Sequence, residues 1–229
     1  MLVLDRLRFN RGGFLLEAGI EIESGEHIAV IGPSGGGKST LLALIAGFEQ
    51  ADQGRILWNG ADLSAKPPAE RPISMLFQDN NLFPHLDILT NAALGMDPSA
   101  RTGPEARRAA HAALGEVGLA DLASRRPAGL SGGQLSRAAL ARVLISNRPL
   151  VLLDEPFAAL GPAQRAEMLE LLSRLLHAAT ILMVTHNPED AQRFAGRTIF
   201  LAEGRLRPPC RTPELFADPD PQLADYLRR

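Results

Sequence analysis

The 229-residue chain has a single cysteine, Cys210, so no disulfide can close within it and no thiolate-built metal site is suggested. Cys210 follows Pro208 and Pro209 and reads as a bystander beside a surface turn. Nor is there a surplus of one charge. With 24 Lys+Arg against 26 Asp+Glu, the net charge of −2 gives no electrostatic footprint for nucleic acid or anionic lipid, and no nucleic-acid partner is expected. No apolar run approaches the roughly 18–20 residues that cross a bilayer. The first ten residues carry Asp5, Arg6 and Arg8 among apolar neighbours and make neither a signal peptide nor a membrane anchor. These absences point to a cytosolic protein, or to one held at a membrane by something else. Internal repeats are also lacking, and Pro67-Pro68 and Pro208-Pro209 read as turns rather than linkers.

What is present is an ordinary globular composition, 45% hydrophobic and 22% charged, long enough for one core with a sizeable insertion. Four short, continuously apolar runs (27–31, 73–77, 150–153 and 181–185) have the character of parallel strands covered on both faces. Helical patterns follow or separate them at 39–48, 131–145 and 164–177, which predicts an α/β core. Residues 2–9, 14–22 and 55–58 alternate or end in glycine-containing turns, as an antiparallel edge sheet does, and Glu203-Gly204 has the form of a hairpin turn. Between about 80 and 147 the chain is rich in Ala, Leu and Arg without a good strand, which predicts a helical insertion.

Each of the four apolar runs is followed at once by polar chemistry: Gly32, Gln78, Asp154-Glu155 and His186. In an open α/β sheet, ligands bind outside the carboxyl ends of the strands. The loop Gly32-Pro33-Ser34-Gly35-Gly36-Gly37-Lys38-Ser39-Thr40 fits G-x-x-x-x-G-K-[ST], with an apolar strand before it and a helix after it. Its glycines let backbone N–H groups wrap phosphate oxygens, and the helix adds its positive end. Lys38 is then expected to reach the β- and γ-phosphates of ATP, and the Ser39 hydroxyl to coordinate Mg²⁺. Asp154 fits a carboxylate that holds Mg²⁺, and Glu155 one that orients or deprotonates the attacking water. Gln78 and His186 are each weak signals alone and gain weight from their spacing.

Leu130-Ser131-Gly132-Gly133-Gln134-Leu135 reads as a capping box, Ser131 with Gln134, inside a Leu130/Leu135 staple. Glycines inside a helix cost up to about 1 kcal/mol each relative to Ala. Gly132 and Gly133 therefore suggest a place where a ligand or another backbone comes close. That makes a second anion-binding helix start in a chain that already has one.

The P-loop, Gln78, Leu-Ser-Gly-Gly-Gln at 130–134, Leu-Leu-Asp-Glu-Pro and Thr-His, in that order, resemble the nucleotide-binding subunit of an ATP-binding cassette (ABC) transporter over nearly the whole chain. The resemblance implies a P-loop NTPase (RecA-like) core with an antiparallel β edge subdomain and an inserted α-helical subdomain. It implies a nucleotide-binding core over 1–79 and 148–210, a helical subdomain over 80–147 and a C-terminal tail over 211–229. It implies a head-to-tail dimer of two copies that sandwiches ATP, with Ser131, Gly132, Gly133 and Gln134 of one copy facing the P-loop of the other. Lys38, Gln78, Glu155 and His186 take catalytic roles in it, and Ser39, Gln78 and Asp154 hold Mg²⁺. Its further partners are membrane permease subunits and, indirectly, a periplasmic or extracellular solute-binding protein, so the chain would sit on the cytoplasmic side of the inner membrane. The run from Arg71 to Leu86 (RPISMLFQDNNLFPHL) and Ile45-Ala46-Gly47-Phe48 are similar to thiamine importer ATPases.

Three positions depart from the family pattern. Arg11 stands where an adenine-stacking Tyr is usual, leaving Phe9 or the Arg11 guanidinium for that role. Gly161 replaces an Asp after Ala159-Leu160, which bears on communication between the two ATP sites. Leu135 and Ser136 replace the usual Arg-Gln after the signature. Other expectations compatible with the residues are an importer ATPase for iron, sulfate or polyamine, a soluble ABC ATPase acting on DNA or ribosomes, and a cassette that binds without hydrolysing.

Overall fold

The structure, a computed structural model, describes residues 1–98 and 102–228. Residues 99–101, within the expected helical insertion, and residue 229 of the expected tail lie outside the described residues. In chain order the described residues form β1 (Leu2–Arg11), β2 (Phe14–Ile22), β3 (His27–Ile31), α1 (Lys38–Ala46), β4 (Gln53–Trp58), β5 (Ala61–Asp62) and β6 (Ile73–Leu76). There follow α2 (Ile88–Ala93), α3 (Pro104–Glu116), α4 (Gly132–Ser146), β7 (Leu150–Asp154), α5 (Pro162–Leu175) and β8 (Thr180–Val184). The chain closes with α6 (Pro188–Phe194), β9 (Arg197–Ala202), β10 (Arg205–Leu206), β11 (Cys210–Arg211), α7 (Thr212–Ala217) and α8 (Pro221–Leu227). It divides into two compact units, Met1–Ile73 with Ala178–Arg229, and Ser74–His177.

In the first unit the strands lie in the order β5-β4-β1-β2-β10-β9-β3-β8, with β11 also paired to β9. β1 and β2 form an antiparallel hairpin from Leu2↔Ile22 to Arg11↔Phe14, closed by Gly12 and Gly13 at φ 58° and 85°. β1 buries Leu2, Leu4, Leu7 and Phe9, and the break in alternation is a bulge between Leu4 and Leu7, where Arg6 takes φ 48°. β3 is parallel to both β8 and β9, with Ile28, Ala29, Val30 and Ile31 fully buried. The continuous apolar runs at 27–31 and 181–185 thus pair as parallel strands, and the alternating ones form an antiparallel sheet. The hairpin expected at Glu203-Gly204 joins β9 to β10, with both residues at positive φ, 50° and 74°. Helix α1 is apolar nearly all round and buries Leu41, Leu42, Leu44 and Ile45 completely.

The second unit holds β6 beside β7 together with α2, α3, α4 and α5. Between residues 80 and 147 the described residues form helices and no strand. α3 starts with Pro104 in its first turn and buries Ala106, Ala110, Ala113 and Leu114, one helical stripe. β7 is buried along Leu150, Val151, Leu152 and Leu153 and surfaces at Asp154. Among the described residues no helix is long and apolar enough to cross a membrane.

Candidate nucleotide site

In the first unit, β3 delivers the chain into a loop over Gly32–Gly37 that the backbone can follow only with glycine at its ends. Gly32 has φ 151°, and a Cβ there would lie 1.9 Å from the Leu201 carbonyl oxygen. Gly37 has φ 106°, and a Cβ there would meet the Phe14 ring at 2.7 Å. The first is a close approach of two backbones and the second of backbone to an aromatic ring, and a side chain at either glycine would open it. The loop is braced from outside by the β9–β10 turn, whose Gly204 N–H donates to the Gly36 carbonyl at 3.2 Å, while Glu17 N–H donates to the Gly204 carbonyl at 2.8 Å. Leu201, Gly204 and Phe14 thus shape the loop although none belongs to its motif.

Lys38, only 7% exposed, folds back over this loop. Its ammonium donates to the carbonyls of Gly32 at 2.7 Å and Pro33 at 2.9 Å. A buried cation needs such partners. The arrangement holds its charge against the loop interior, where the β- and γ-phosphates are expected. α1 begins at Gly37 with no side-chain cap and no acidic residue in its first turn, so its positive end is left for an anion. Ser39 is exposed and Thr40 half-buried. At the other end of α1, Arg71 (2% exposed) donates to the Leu44 carbonyl at 2.8 Å and the Ile45 carbonyl at 2.7 Å, as well as to Lys66 and Ser64. Burial lowers its pKa from the usual arginine value.

His186 stands at the same edge of the sheet as Gly32. In the parallel β3/β8 pair Val30 lies opposite Val184, so each residue is two positions past the same rung. His186 is exposed, and its carbonyl accepts from the Tyr226 hydroxyl at 2.9 Å. Phe9 is 6% exposed, with the Arg11 guanidinium 5.6 Å from its ring centroid. Arg11 is also paired to Glu49 at 2.6 Å. The cation therefore lies on the outer side of the buried ring, and the guanidinium is the more accessible of the two.

In the second unit, Asp154 ends β7 and Glu155 follows at φ 46°, a left-handed conformation costly for a residue with a Cβ. Gln78 is exposed two residues past β6, at the start of a segment in which Asn80 and Asn81 have φ 58° and 50°. That segment is tied down by Arg142 of α4, which donates to the Asn81 carbonyl at 2.7 Å and the Asn80 carbonyl at 2.9 Å. Burial lowers the Arg142 pKa. Asn91, fully buried, bridges the Phe83 backbone to Leu86 and Asp87. Neither residue carries a sequence signal for this role, because both act on backbone groups.

α4 starts with the capping box: Gln134 N–H donates to Ser131 Oγ at 3.4 Å, and Ser131 N–H to Gln134 Oε1 at 2.9 Å. A Cβ at Gly133 would meet nothing within 4 Å, and one at Gly132 only Leu160 at 3.7 Å. The chain's own packing does not require these two glycines.

The sequence model described as ABC transporter matches residues 15–158, well over half of the chain. The chain belongs to the ABC transporter family. It is 57% identical over 229 residues to the thiamine import ATP-binding protein ThiQ of Cereibacter sphaeroides, with 99% of each chain covered. The protein of the same name from Ruegeria sp. is 52% identical, again over 99% of each chain, and that of Photorhabdus laumondii 45% identical over 98% of this chain and 96% of its own. Among solved structures, the ATP-binding cassette MJ0796, a dimer in a post-hydrolysis state bound to ADP and Pi, superposes with a TM-score of 0.79 at 29% identity, covering 93% of this chain and 99% of its own. The cassette MJ1267 in its ADP conformation, at 24% identity and TM-score 0.87, covers 100% of this chain and 98% of its own and shares the fold.

Two of the departures from the ABC transporter pattern fall at helix starts, α5 and α4. Gly161 is the N-cap of α5 at φ −65° and ψ 161°, and a Cβ there would meet nothing. Nothing in the backbone demands glycine at that position. Ser136 is 3% exposed, whereas Leu135 is half-buried.

Proposed function

We propose that this chain is the ATP-hydrolysing, energy-coupling subunit of an importer for thiamine or its phosphates. The observation that carries the nucleotide part is the loop at residues 32–40, with a buried lysine ammonium folded onto it and an uncapped helix start behind it. The thiamine part rests on the name shared by relatives up to 57% identical over nearly the full chain.

In this reading the backbone N–H groups of residues 32–40 and the ammonium of Lys38 hold the phosphates and neutralise charge that grows on the γ-phosphoryl group as it leaves. Arg11, seated over Phe9, faces the base. Ser39, Gln78 and Asp154 would hold Mg²⁺, and they fit it as hard oxygen donors. The ion supplies Lewis-acid stabilisation of the phosphate oxygens. Glu155, which follows Asp154 in a left-handed backbone conformation, orients and deprotonates the attacking water, and His186 positions the γ-phosphate. Ser131, Gly132, Gly133 and Gln134 serve a second copy of the chain, whose ATP they contact. The open space around Gly132 and Gly133 supports that use.

The chain docks on permease subunits at the cytoplasmic face of the inner membrane, with a solute-binding protein acting from the far side. The nucleotide-binding core takes in residues 1–79 and 148–210, and the signature subdomain residues 80–147. The Glu155→Gln variant tests the assignment. It is expected to bind ATP, stop turning over and elute as a dimer in ATP during size-exclusion chromatography. Hydrolysis at the wild-type rate would contradict the role of Glu155.

A further inference from the structure

Helix α8 reaches the turn between β8 and α6 with the side chain of Tyr226. Tyr226, the only tyrosine in the chain, donates from its hydroxyl to the His186 carbonyl at 2.9 Å. We infer that Tyr226 is a positioning residue for His186, and that α8 is the element that holds the His186 turn in register. This rests on the reading that His186 acts in ATP hydrolysis.

The peptide joining His186 to Asn187 is held at both ends. Its carbonyl end accepts from Tyr226, and its N–H end donates to Thr185 Oγ1 at 3.0 Å. Thr185 Oγ1 in turn donates to Asp190 Oδ2 at 3.2 Å. A planar peptide fastened at both ends cannot rotate. On the other side of His186, Thr185 N–H donates to the Val30 carbonyl at 3.1 Å, which ties the turn to β3. The His186 Cα is therefore held by one anchored peptide on its C-terminal side, and the chain one residue before it is tied to β3, although His186 itself is exposed. Of these anchors only the tyrosine comes from outside the β3–β8–α6 neighbourhood.

Tyr226 is itself held in place. Its ring packs against Phe200 of β9, with centroids 5.8 Å apart at 52°. Arg207 lies 4.8 Å over the other partner, Phe200, and binds both Gln222 and Asp220 of the α8 start. Asp220 caps α8 through Gln222 N–H and Leu223 N–H, and Leu223 is fully buried. A helix of seven residues would not be stable alone. These contacts give α8 the rigidity needed to place one hydroxyl. A small displacement of a group beside the reacting phosphate is enough to change turnover strongly.

The test uses the full-length chain and single-turnover ATP hydrolysis, so that slow variants still give a rate. Tyr226→Phe keeps the ring on Phe200 and removes only the hydroxyl. It is expected to lower the hydrolysis rate roughly threefold to tenfold, the range one neutral hydrogen bond commands, with ATP affinity unchanged. In a His186→Ala background the same substitution should have no further effect. A shift of the His186 imidazole signal in Tyr226→Phe, read by NMR with a non-hydrolysable ATP analogue bound, is the companion readout. A wild-type rate with an unmoved imidazole signal would overturn the inference, as would an equal loss in the His186→Ala background, which would place the hydroxyl on another route. Hydrolysis at the wild-type rate in His186→Ala alone would instead refute the role of His186, and the inference with it.

Discussion

The Lys38 ammonium donates to the Gly32 carbonyl at 2.7 Å, so the lysine of the phosphate loop closes back onto the glycine that opens it. A cation already desolvated and oriented in this way needs little rearrangement to engage a phosphate. Lys38→Ala is expected to lower ATP affinity by roughly two orders of magnitude, as loss of charge-assisted bonds to phosphate does. Equilibrium dialysis with labelled ATP measures it. Undiminished affinity would remove the loop from nucleotide binding.

Gly161 offers a gain-of-function prediction. Its backbone is already extended as an N-cap requires, and a side chain would meet open space. Gly161→Asp should therefore fold normally and stabilise the chain by a few tenths of a kcal/mol through capping of α5, read as a small rise in urea midpoint. Steady-state hydrolysis against ATP concentration then reports whether the restored carboxylate raises cooperativity. An unchanged Hill coefficient would show that the departure is silent.

Arg71 ties the far end of the P-loop helix to the residues that lead into β6. Its guanidinium is buried and satisfied by four backbone carbonyls, two of them at the end of α1. Arg71→Ala removes the guanidinium from the Ile45 carbonyl and leaves the Leu44 carbonyl with the Gly47 N–H at 3.2 Å, and it is expected to cost about 1–3 kcal/mol of stability. Chemical denaturation measures it as a lower midpoint at unchanged slope. A loss below about 0.5 kcal/mol, the ordinary surface value, would show that the carbonyls are satisfied another way.

Much of this was legible because the signals are local. The β3 run is apolar at every position from Ile28 to Ile31 and opens directly into the glycine loop. The capping box needs only Ser131 and Gln134, three residues apart, and both of its bonds form. The Glu203-Gly204 hairpin is likewise a two-residue signal. What escaped reading depends on residues far apart in sequence. The Leu201 carbonyl that forbids a side chain at Gly32, the Arg142 bonds to Asn80 and Asn81, and the Tyr226 bond to His186 each join distant segments. α6 and α8 carry Asn187-Pro188 and Asp220-Pro221, good cap and first-turn pairs, but are too short to show a helical period. Phe9 is an aromatic near the expected base site, and its burial beneath Arg11 follows from the bulge at Arg6 that shifts the face of β1.

The central claim, that ATP hydrolysis by this chain drives thiamine import, is tested most directly by uptake of radiolabelled thiamine in cells. The cells compared carry either the wild-type chain or Glu155→Gln as their sole copy. Uptake is expected to be lost in the variant while uptake of iron, sulfate and polyamines continues. Thiamine uptake at the wild-type level in the Glu155→Gln cells would contradict it.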